Sequence, residues 1–492
     1  MNFIFTSRKI IFTIAVIVYF CTALFSVGYF SADEHYQIIE FAGLLDGSSI
    51  PADLPWEYEA KIRPSIQPFI AYLVFKVSSL FSVLDPYSKA LLLRLLTAIS
   101  ALYVIERFII EAKNFIDKKN WPLFYILSYF LWFLPFINVR FSSETWSGLF
   151  FLAGVSFILK KNKNTYQFLL IGILLGFSFL FRYQIAFAIF GLFCWFIFLS
   201  KEKLTHIIIC LLGGLIIFSF GILLDYWFYK ELTLTSYNYF FVNIIENKAS
   251  EFGTSPWYYY ILSIAFFGIL PIGTIILISA IFFVISKREH IFTWAIVPFF
   301  LVHCLVPHKE IRFLFPIINF VPFIIVSSYQ KLIIKYVKYK KSVWLKVFII
   351  IIISFNITFL YFTTFRSAGN GRSDIVKKIH QLNTKKYLNL FVTNDFYPKY
   401  EWILNSKFYE ERNASFISLE NINFKMLKRV NPDTTNLIIL SLNDLEKRNF
   451  KDINIKMKEV ETTFPKFLFP FFKITNLGDR VFILYKNKKS ET

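Results

Sequence analysis

Long apolar runs broken by short polar linkers set the rhythm of this chain. Twelve runs fall near 10–30, 65–83, 88–112, 121–139, 144–160, 167–181, 183–199, 204–226, 257–285, 291–307, 311–329 and 343–364. Most approach the roughly 20 residues that a helix needs to cross a bilayer. The first, MNFIFTSRKIIFTIAVIVYFCTALFSVGYF, sets Arg8 and Lys9 before its apolar stretch and carries no convincing small-residue cleavage site, so it reads as a retained first helix. After Phe365 the rhythm changes. Charge is then spread throughout, and the apolar runs are only strand-length: YLNLFVTND (387–395), ASFISLE (414–420), NLIILSL (436–442) and VFILYKN (481–487), with a helical pattern in SDIVKKIHQL (373–382). Two domains are expected: a transmembrane part over 1–365 and a small extracytoplasmic α/β domain over 366–492. Gly369, Asn370 and Gly371 form a hinge-like linker between them.

Composition agrees with the pattern. Of 492 residues, 56% are hydrophobic and 17% charged, more apolar surface than a soluble core absorbs. The formal charge of +20 does not indicate nucleic acid, because the lysines fall in short clusters between apolar runs and in the tail. Cys21, Cys194, Cys210 and Cys304 lie in apolar stretches without CxxC spacing and imply neither a disulfide framework nor a zinc site. The basic linkers 111–120, 160–164, 201–203, 286–290 and 330–341 share one side by parity, and the positive-inside rule makes that side cytoplasmic. With the N-terminus also inside, one early segment must fail to cross. The segment 65–83, with a proline, a mid-segment lysine and several serines, is the candidate for an interfacial or re-entrant piece, leaving eleven spans. Residues 31–64, Arg140 to Glu144, Arg182, 227–256, 308–312 and the tail are then expected together on the outer face.

The unusual polar residues fall in those segments. SADEHYQIIE pairs Ser31 with Glu34 as a capping box, so Asp33 and Glu34 have a bland reading as helix starters. Yet Asp33, Gln37 and Glu40 at i, i+4 and i+7 share one helix face, a pattern closer to a site than to a cap. Trp56, Glu57, Tyr58 and Arg63 follow as an aromatic and charged cluster suited to a sugar. Arg140 and Glu144 in VRFSSETW form an i, i+4 pair, ordinarily just a salt bridge, and Arg182 beside Gln184 in LFRYQ has snorkelling as its plain explanation. Asp225 and Trp257 lie in a loop region whose Trp and Tyr residues are an aromatic belt by default.

PHKEIRFLFP is the hardest stretch to dismiss. A charge at bilayer depth costs about 2.5–3.5 kcal/mol on insertion scales, so His308, Lys309, Glu310 and Arg312 belong in a wet, paired or ligand-bearing cavity. Their net positive charge suits a phosphate.

Taken in order, DEHYQIIE, PWEY with IRPSIQP, RFSSET, FRYQ, LDYWFY, FGTSPWYYY and HKEIRFLFP resemble the Alg9-like mannosyltransferases, glycosyltransferase family 22 of the GT-C fold. DEHYQIIE and WEY resemble the GPI mannosyltransferase 3 branch in particular. The resemblance covers roughly 20–320, and the tail matches only loosely. It implies an α-helical polytopic membrane protein of GT-C type that moves mannose, with inversion, from a polyprenyl- or dolichyl-phosphate donor to a hydroxyl of a glycan or glycolipid. On that reading Asp33 is the base with Glu34 second, and His308, Lys309, Arg312 and Arg182 hold the donor phosphate. Gln37, Trp56, Glu57, Arg63, Arg140, Glu144, Asp225 and Trp257 contact substrate. The expected partners are the lipid-linked donor, the acceptor and membrane lipids, not nucleic acid. No metal or nucleotide cofactor is called for, although DEH could form part of a metal site. The Phe/Ile/Lys/Asn bias points to a low-GC bacterium and its plasma membrane, with an ER membrane as the alternative. A lipid-linked-sugar flippase or polysaccharide ligase would share the basic cavity without needing the acid pair. A transporter would show inverted repeats, and none is visible.

Overall fold

The computed structural model describes residues 2–336, 343–383, 387–392, 406–410, 414–419, 435–446 and 457–487. The parts of the basic linker beyond 336, and residues 393–395 and 420 of the expected strands, lie outside them. Among the described residues, five helical segments are long and apolar enough to cross a membrane: Arg8–Phe25, Pro86–Phe115, Leu204–Tyr229, Ile311–Leu332 and Val343–Phe365. Six shorter apolar helices accompany them, among them Ile66–Leu80, Ser143–Leu159 and Thr165–Phe181. The expected fold class is present: a polytopic helical bundle followed by a small C-terminal sheet. Val343–Phe365 keeps Ile349, Ile350, Ile353 and Phe362 exposed, as a lipid-facing helix does.

Several apolar runs do not form single helices. The run 121–139 divides into Trp121–Phe130 and Leu134–Asn138, and 257–285 divides at Gly268 and Ile269 into Tyr259–Phe267 and Leu270–Ser286. The run 311–329 begins as a 3-10 helix, Ile311–Phe320, before the α-helix Val321–Tyr336. Hydropathy counts apolar length and is blind to such breaks.

Close helix contacts depend on small residues. A Cβ at Gly172 would sit 1.9 Å from the Cys210 carbonyl oxygen, so only glycine lets Thr165–Phe181 lie along Leu204–Tyr229. A Cβ at Gly148 would sit 2.8 Å from the Pro316 carbonyl oxygen. That approach seats the 3-10 helix against Ser143–Leu159 and carries Arg312 toward Glu144.

The basic linkers contact one another in two groups, 160–164 with 201–203, and 111–120 and 286–290 with the start of 330–341. Lys163 Nζ lies 3.1 Å from Glu202 Oε1, Asp117 N donates to Gln330 Oε1 at 3.1 Å, and Lys331 Nζ donates to the Ser286 carbonyl at 2.9 Å. The polar segments 31–64, 140–144, 182–184, 225–239 and 308–312 are joined to one another through the contacts described below.

Among the described residues of the tail, five strands form one sheet in the order β2-β1-β3-β5-β4. These are β1 (Leu388–Val392), β2 (Ala414–Ser418), β3 (Thr435–Ser441), β4 (Met457–Thr462) and β5 (Phe482–Asn487). β1 pairs parallel with β2 and β3, while β5 runs antiparallel to β3 and β4. β3 is central and buried on both faces, which explains its unbroken NLIIL. β4 is an edge strand with sequence MKEVET, too polar to be read as a strand from its pattern. Ile375, Val376 and Ile379 of the helix Arg372–Leu382 bury against Leu388, Leu390 and Leu484, and the same cluster takes in Tyr29, Tyr36 and Tyr87 of the helical part. The glycine-rich linker is correspondingly not a free hinge. Gly369–Gly371 is a 3-10 turn, and Ala368 N next to it donates to the Val27 carbonyl at 2.8 Å.

Candidate functional site

The short helix Asp33–Tyr36 starts without a side-chain cap. Its N-cap is Ala32, and the Glu34 N–H reaches the Ser31 carbonyl at 3.1 Å, not its hydroxyl, so the expected capping box does not form. The helix then breaks before Ile39, so of the expected common face Asp33 and Gln37 stay on one cleft wall and Glu40 leaves it. Instead, the acids diverge to different partners. Asp33 Oδ2 pairs with Arg312 Nη1 at 2.8 Å and with Arg63 Nη2 at 3.9 Å. Glu34 Oε2 lies 3.6 Å from Arg140 Nη1. Glu40 turns inward to His35 Nε2 at 2.9 Å and accepts the Phe408 N–H at 3.1 Å. Glu40 therefore ties the tail to the bundle, and His35 is committed to it, so Asp33, Glu34 and His35 do not converge on one point.

Arg312 is the hub. Its Nε and Nη2 grip Glu310 at 2.6 and 2.7 Å as a bidentate fork, while Nη1 is shared between Asp33 and Glu144 Oε1, the latter at 3.1 Å. Glu144 Oε1 also takes Arg182 Nη1 at 2.9 Å. On the other side Arg63 Nη2 lies 3.6 Å from Glu57 Oε1, which accepts from Gln37 Nε2 at 2.8 Å. Residues from five distant segments thus form one continuous ion-pair network. The cleft beside it holds about 500 Å³, counting its open mouth, and is walled by Asp33, Glu34, Gln37, Arg63, Glu144 and Arg182. Gln67, Tyr183 and Tyr239 also wall it. They were missed because a lone Gln or Tyr near a membrane boundary carries no pattern of its own.

Electrostatics separates the two leading acids. Burial raises the Asp33 carboxyl, but Arg312 and Arg63 more than offset this and hold it below the usual carboxylate range. Burial pushes Glu34 up to about 7, with Arg140 only partly opposing it and Glu144 adding to the rise. Asp33 is therefore ionised at neutral pH, and Glu34 is poised between its two forms.

Of the PHKEIRF charges, His308, Glu310 and Arg312 are linked and Lys309 stands apart. Lys309 Nζ donates to the carbonyls of Ser255 at 2.8 Å and Val306 at 2.5 Å, so it caps the carbonyl end of the helix Ile291–Leu305 and does not face the cleft. His308 reaches Glu310 Oε1 at 3.2 Å and the Gly253 carbonyl at 3.1 Å, and the Glu310 hydrogen bond raises its pKa. Of the remaining candidates, Trp56 stacks on Phe252 at 6.0 Å, Phe252 meets His308 at 6.1 Å, and Trp257 is exposed. Asp225 is buried and accepts from the Ser65 N–H at 2.8 Å and hydroxyl at 2.6 Å and from Thr235 at 2.6 Å, which fixes loops behind the cleft wall. The motif's positive sum is also cancelled. Arg63, Arg182 and Arg312 face Asp33, Glu57, Glu144 and Glu310, three guanidiniums to four carboxylates.

Residues 10–398 match the Alg9-like mannosyltransferase family. Over 314 residues the chain is 26% identical to GPI mannosyltransferase 3 of Candida albicans, covering 63% of this chain and 61% of that protein. It is 24% identical over 310 residues to GPI mannosyltransferase 3 of Drosophila melanogaster, covering 62% and 53%. These matches span little more than half the length of the curated relatives. Among solved structures, ArnT from Cupriavidus metallidurans bound to undecaprenyl phosphate aligns with a TM-score of 0.52 over 98% of each chain at 10% identity. Its apo state aligns with a TM-score of 0.51, covering 98% and 97% at 12% identity. At that identity the likeness is one of fold.

Proposed function

The chain belongs to the Alg9-like mannosyltransferase family, and from that premise we propose that it transfers mannose from a polyprenyl- or dolichyl-phosphate donor to a hydroxyl of a glycan or glycolipid, with inversion. The observation that carries this reading is the Asp33–Arg312 pair, 2.8 Å across, at the edge of a polar cleft built from five separate segments. Asp33 is the base. It is ionised, partly open to water, and positioned to take the proton of an acceptor hydroxyl as that oxygen attacks the anomeric carbon. Its arginine partners hold its orientation. Glu34 is the second candidate, with a pKa of about 7 but deeper burial.

The leaving phosphate gathers charge as the sugar bond breaks, and Arg182, Arg312 and His308 supply the nearby cationic groups. Lys309 shapes the loop that presents them. Gln37, Glu57, Arg63 and Trp56 form a rim fit for sugar hydroxyls and a sugar face. A lipid donor agrees with the fold likeness to ArnT, whose solved complex holds undecaprenyl phosphate. The similarity to GPI mannosyltransferase 3 proteins supports assigning the chain to that branch, and a bacterial plasma membrane with the site and the 366–492 domain outward is the favoured setting, over an ER membrane.

Purified full-length chain incubated with labelled polyprenyl-phosphate mannose and, in parallel, with nucleotide sugars tests the reading. Label should move from the lipid donor to a glycolipid acceptor with the anomeric configuration reversed. Transfer from a nucleotide sugar alone, or lipid translocation without sugar transfer, would refute it.

A further inference from the structure

Glu34 stands between two clefts. The second, about 390 Å³ counting its mouth, is walled by Glu34, His35, Arg94, Arg140 and Tyr409. Arg94 comes from the helix Pro86–Ala112, Arg140 from the turn before Ser143–Leu159, and Tyr409 from the C-terminal unit. Arg94 is 6%, Arg140 2% and Tyr409 4% exposed.

Their hydrogen bonds leave a surplus. Arg140 Nη1 donates to the Gly28 carbonyl at 2.7 Å, and Nη2 donates to the Ser26 carbonyl. Arg94 Nε donates to the Ala23 carbonyl at 2.8 Å. Among the described residues, the terminal nitrogens of Arg94 and the hydroxyl of Tyr409 make no hydrogen bond. A plain explanation is that both arginines cap the carbonyl end of the helix Asn2–Phe25. A helix end, however, offers only about half a negative charge. Glu34 adds at most one more, and two guanidiniums stand against them. The first cleft has the opposite balance, its arginines outnumbered by carboxylates.

We propose that the Arg94–Arg140–Tyr409 pocket is an anion site that takes a phosphoryl group. Arg140 supplies charge, while Arg94 and the Tyr409 phenol supply donors from two different elements lining the same pocket, an arrangement that suits a tetrahedral group with three outward oxygens better than a flat carboxylate. Burial pushes the phenol up to about 12, so it remains a donor at neutral pH. The C-terminal unit then has a definite task, since it contributes one wall of the site. This assignment does not depend on which sugar is transferred.

Binding to the full-length protein in nanodiscs tests it, with inorganic phosphate, polyprenyl phosphate and polyprenyl-phosphate mannose as separate probes, read by calorimetry and by the shift in Tm. Removing a hydrogen bond to a charged partner predicts at least a tenfold weaker Kd for Arg94→Met, and a several-fold loss for Tyr409→Phe. Binding of all three probes that Arg94→Met weakens marks a site for the phosphoryl group alone; binding of the lipid probes only, weakened in the same way, marks a lipid headgroup site, and either supports the proposal. A ligand-free Tm that is unchanged or raised in Arg94→Met supports a surplus charge awaiting a ligand. The proposal is overturned if no probe binds at millimolar concentration, or if Arg94→Met binds as tightly as the wild type. Should Arg94→Met not fold, unchanged affinity in Tyr409→Phe overturns it. No sugar transfer is measured, so loss of the transferase reading would leave this result standing.

Discussion

Replacing Arg312 with lysine tests the network at its hub while conserving charge. The guanidinium makes four short contacts through three nitrogens: two to Glu310 at 2.6 and 2.7 Å, one to Asp33 at 2.8 Å and one to Glu144 at 3.1 Å. A lysine ammonium is a single point on a flexible stem and can keep about two of them. The contacts to Asp33 and Glu144 matter most, because Arg312 is only 6% exposed and Glu144 is 2% exposed. A charge-assisted hydrogen bond is worth about 1.5–3 kcal/mol, and the Glu310 contacts deserve a discount because that carboxylate meets water. Losing roughly two contacts, with partial relaxation, comes to about 3 kcal/mol of misplaced Asp33 and Glu144. At 1.36 kcal/mol per decade that is on the order of a hundredfold in kcat/KM. The damage comes from a fork that no longer organises carboxylates, so Arg312→Met should be worse than Arg312→Lys. The assay is transfer from labelled polyprenyl-phosphate mannose, with Tm measured alongside. Activity of Arg312→Lys within threefold of the wild type would refute the reasoning.

Asp33→Asn should keep the fold but lose on the order of 10²–10⁴ in turnover, and full activity would move the base to Glu34. Because the folded Glu34 pKa lies near 7, above its unfolded value, the native state holds a proton that the unfolded chain lacks between about pH 4.5 and 7; Tm should fall as pH rises through that window, and Glu34→Gln should flatten the fall. Lys309→Met should lower Tm by uncapping Ile291–Leu305, with donor affinity changed less than twofold; selective loss of donor binding would return Lys309 to the phosphate. Reporter fusions should find the ends of 111–120 and 330–341 inside and the tail outside, and a cytoplasmic tail would sink the eleven-span topology.

The bundle, the onset of the sheet near residue 388 and four of its five strands were legible along the chain, because apolar length and alternation act locally and leave a periodic trace. The same locality carried the motifs: Asp33, Arg63, Glu144, Arg182 and Arg312 all stand out as charges beside apolar runs. Their partnerships did not. HKEIR is basic by itself, yet the fold brings Asp33 from 279 positions away and Glu144 from 168, and the sum becomes negative. Lys309 looked like its neighbours until the fold offered it three carbonyls, Val306 and Pro307 just after the preceding helix and Ser255 from a distant loop. Arg94 was invisible inside a spanning segment, where a lone arginine reads as tolerated cost, and Tyr409 belonged to a tail with no motif. Which charges cancel and which are left over is a sum over space. Only the packed chain, with glycines such as Gly148 letting backbones close to contact, decides which terms enter it.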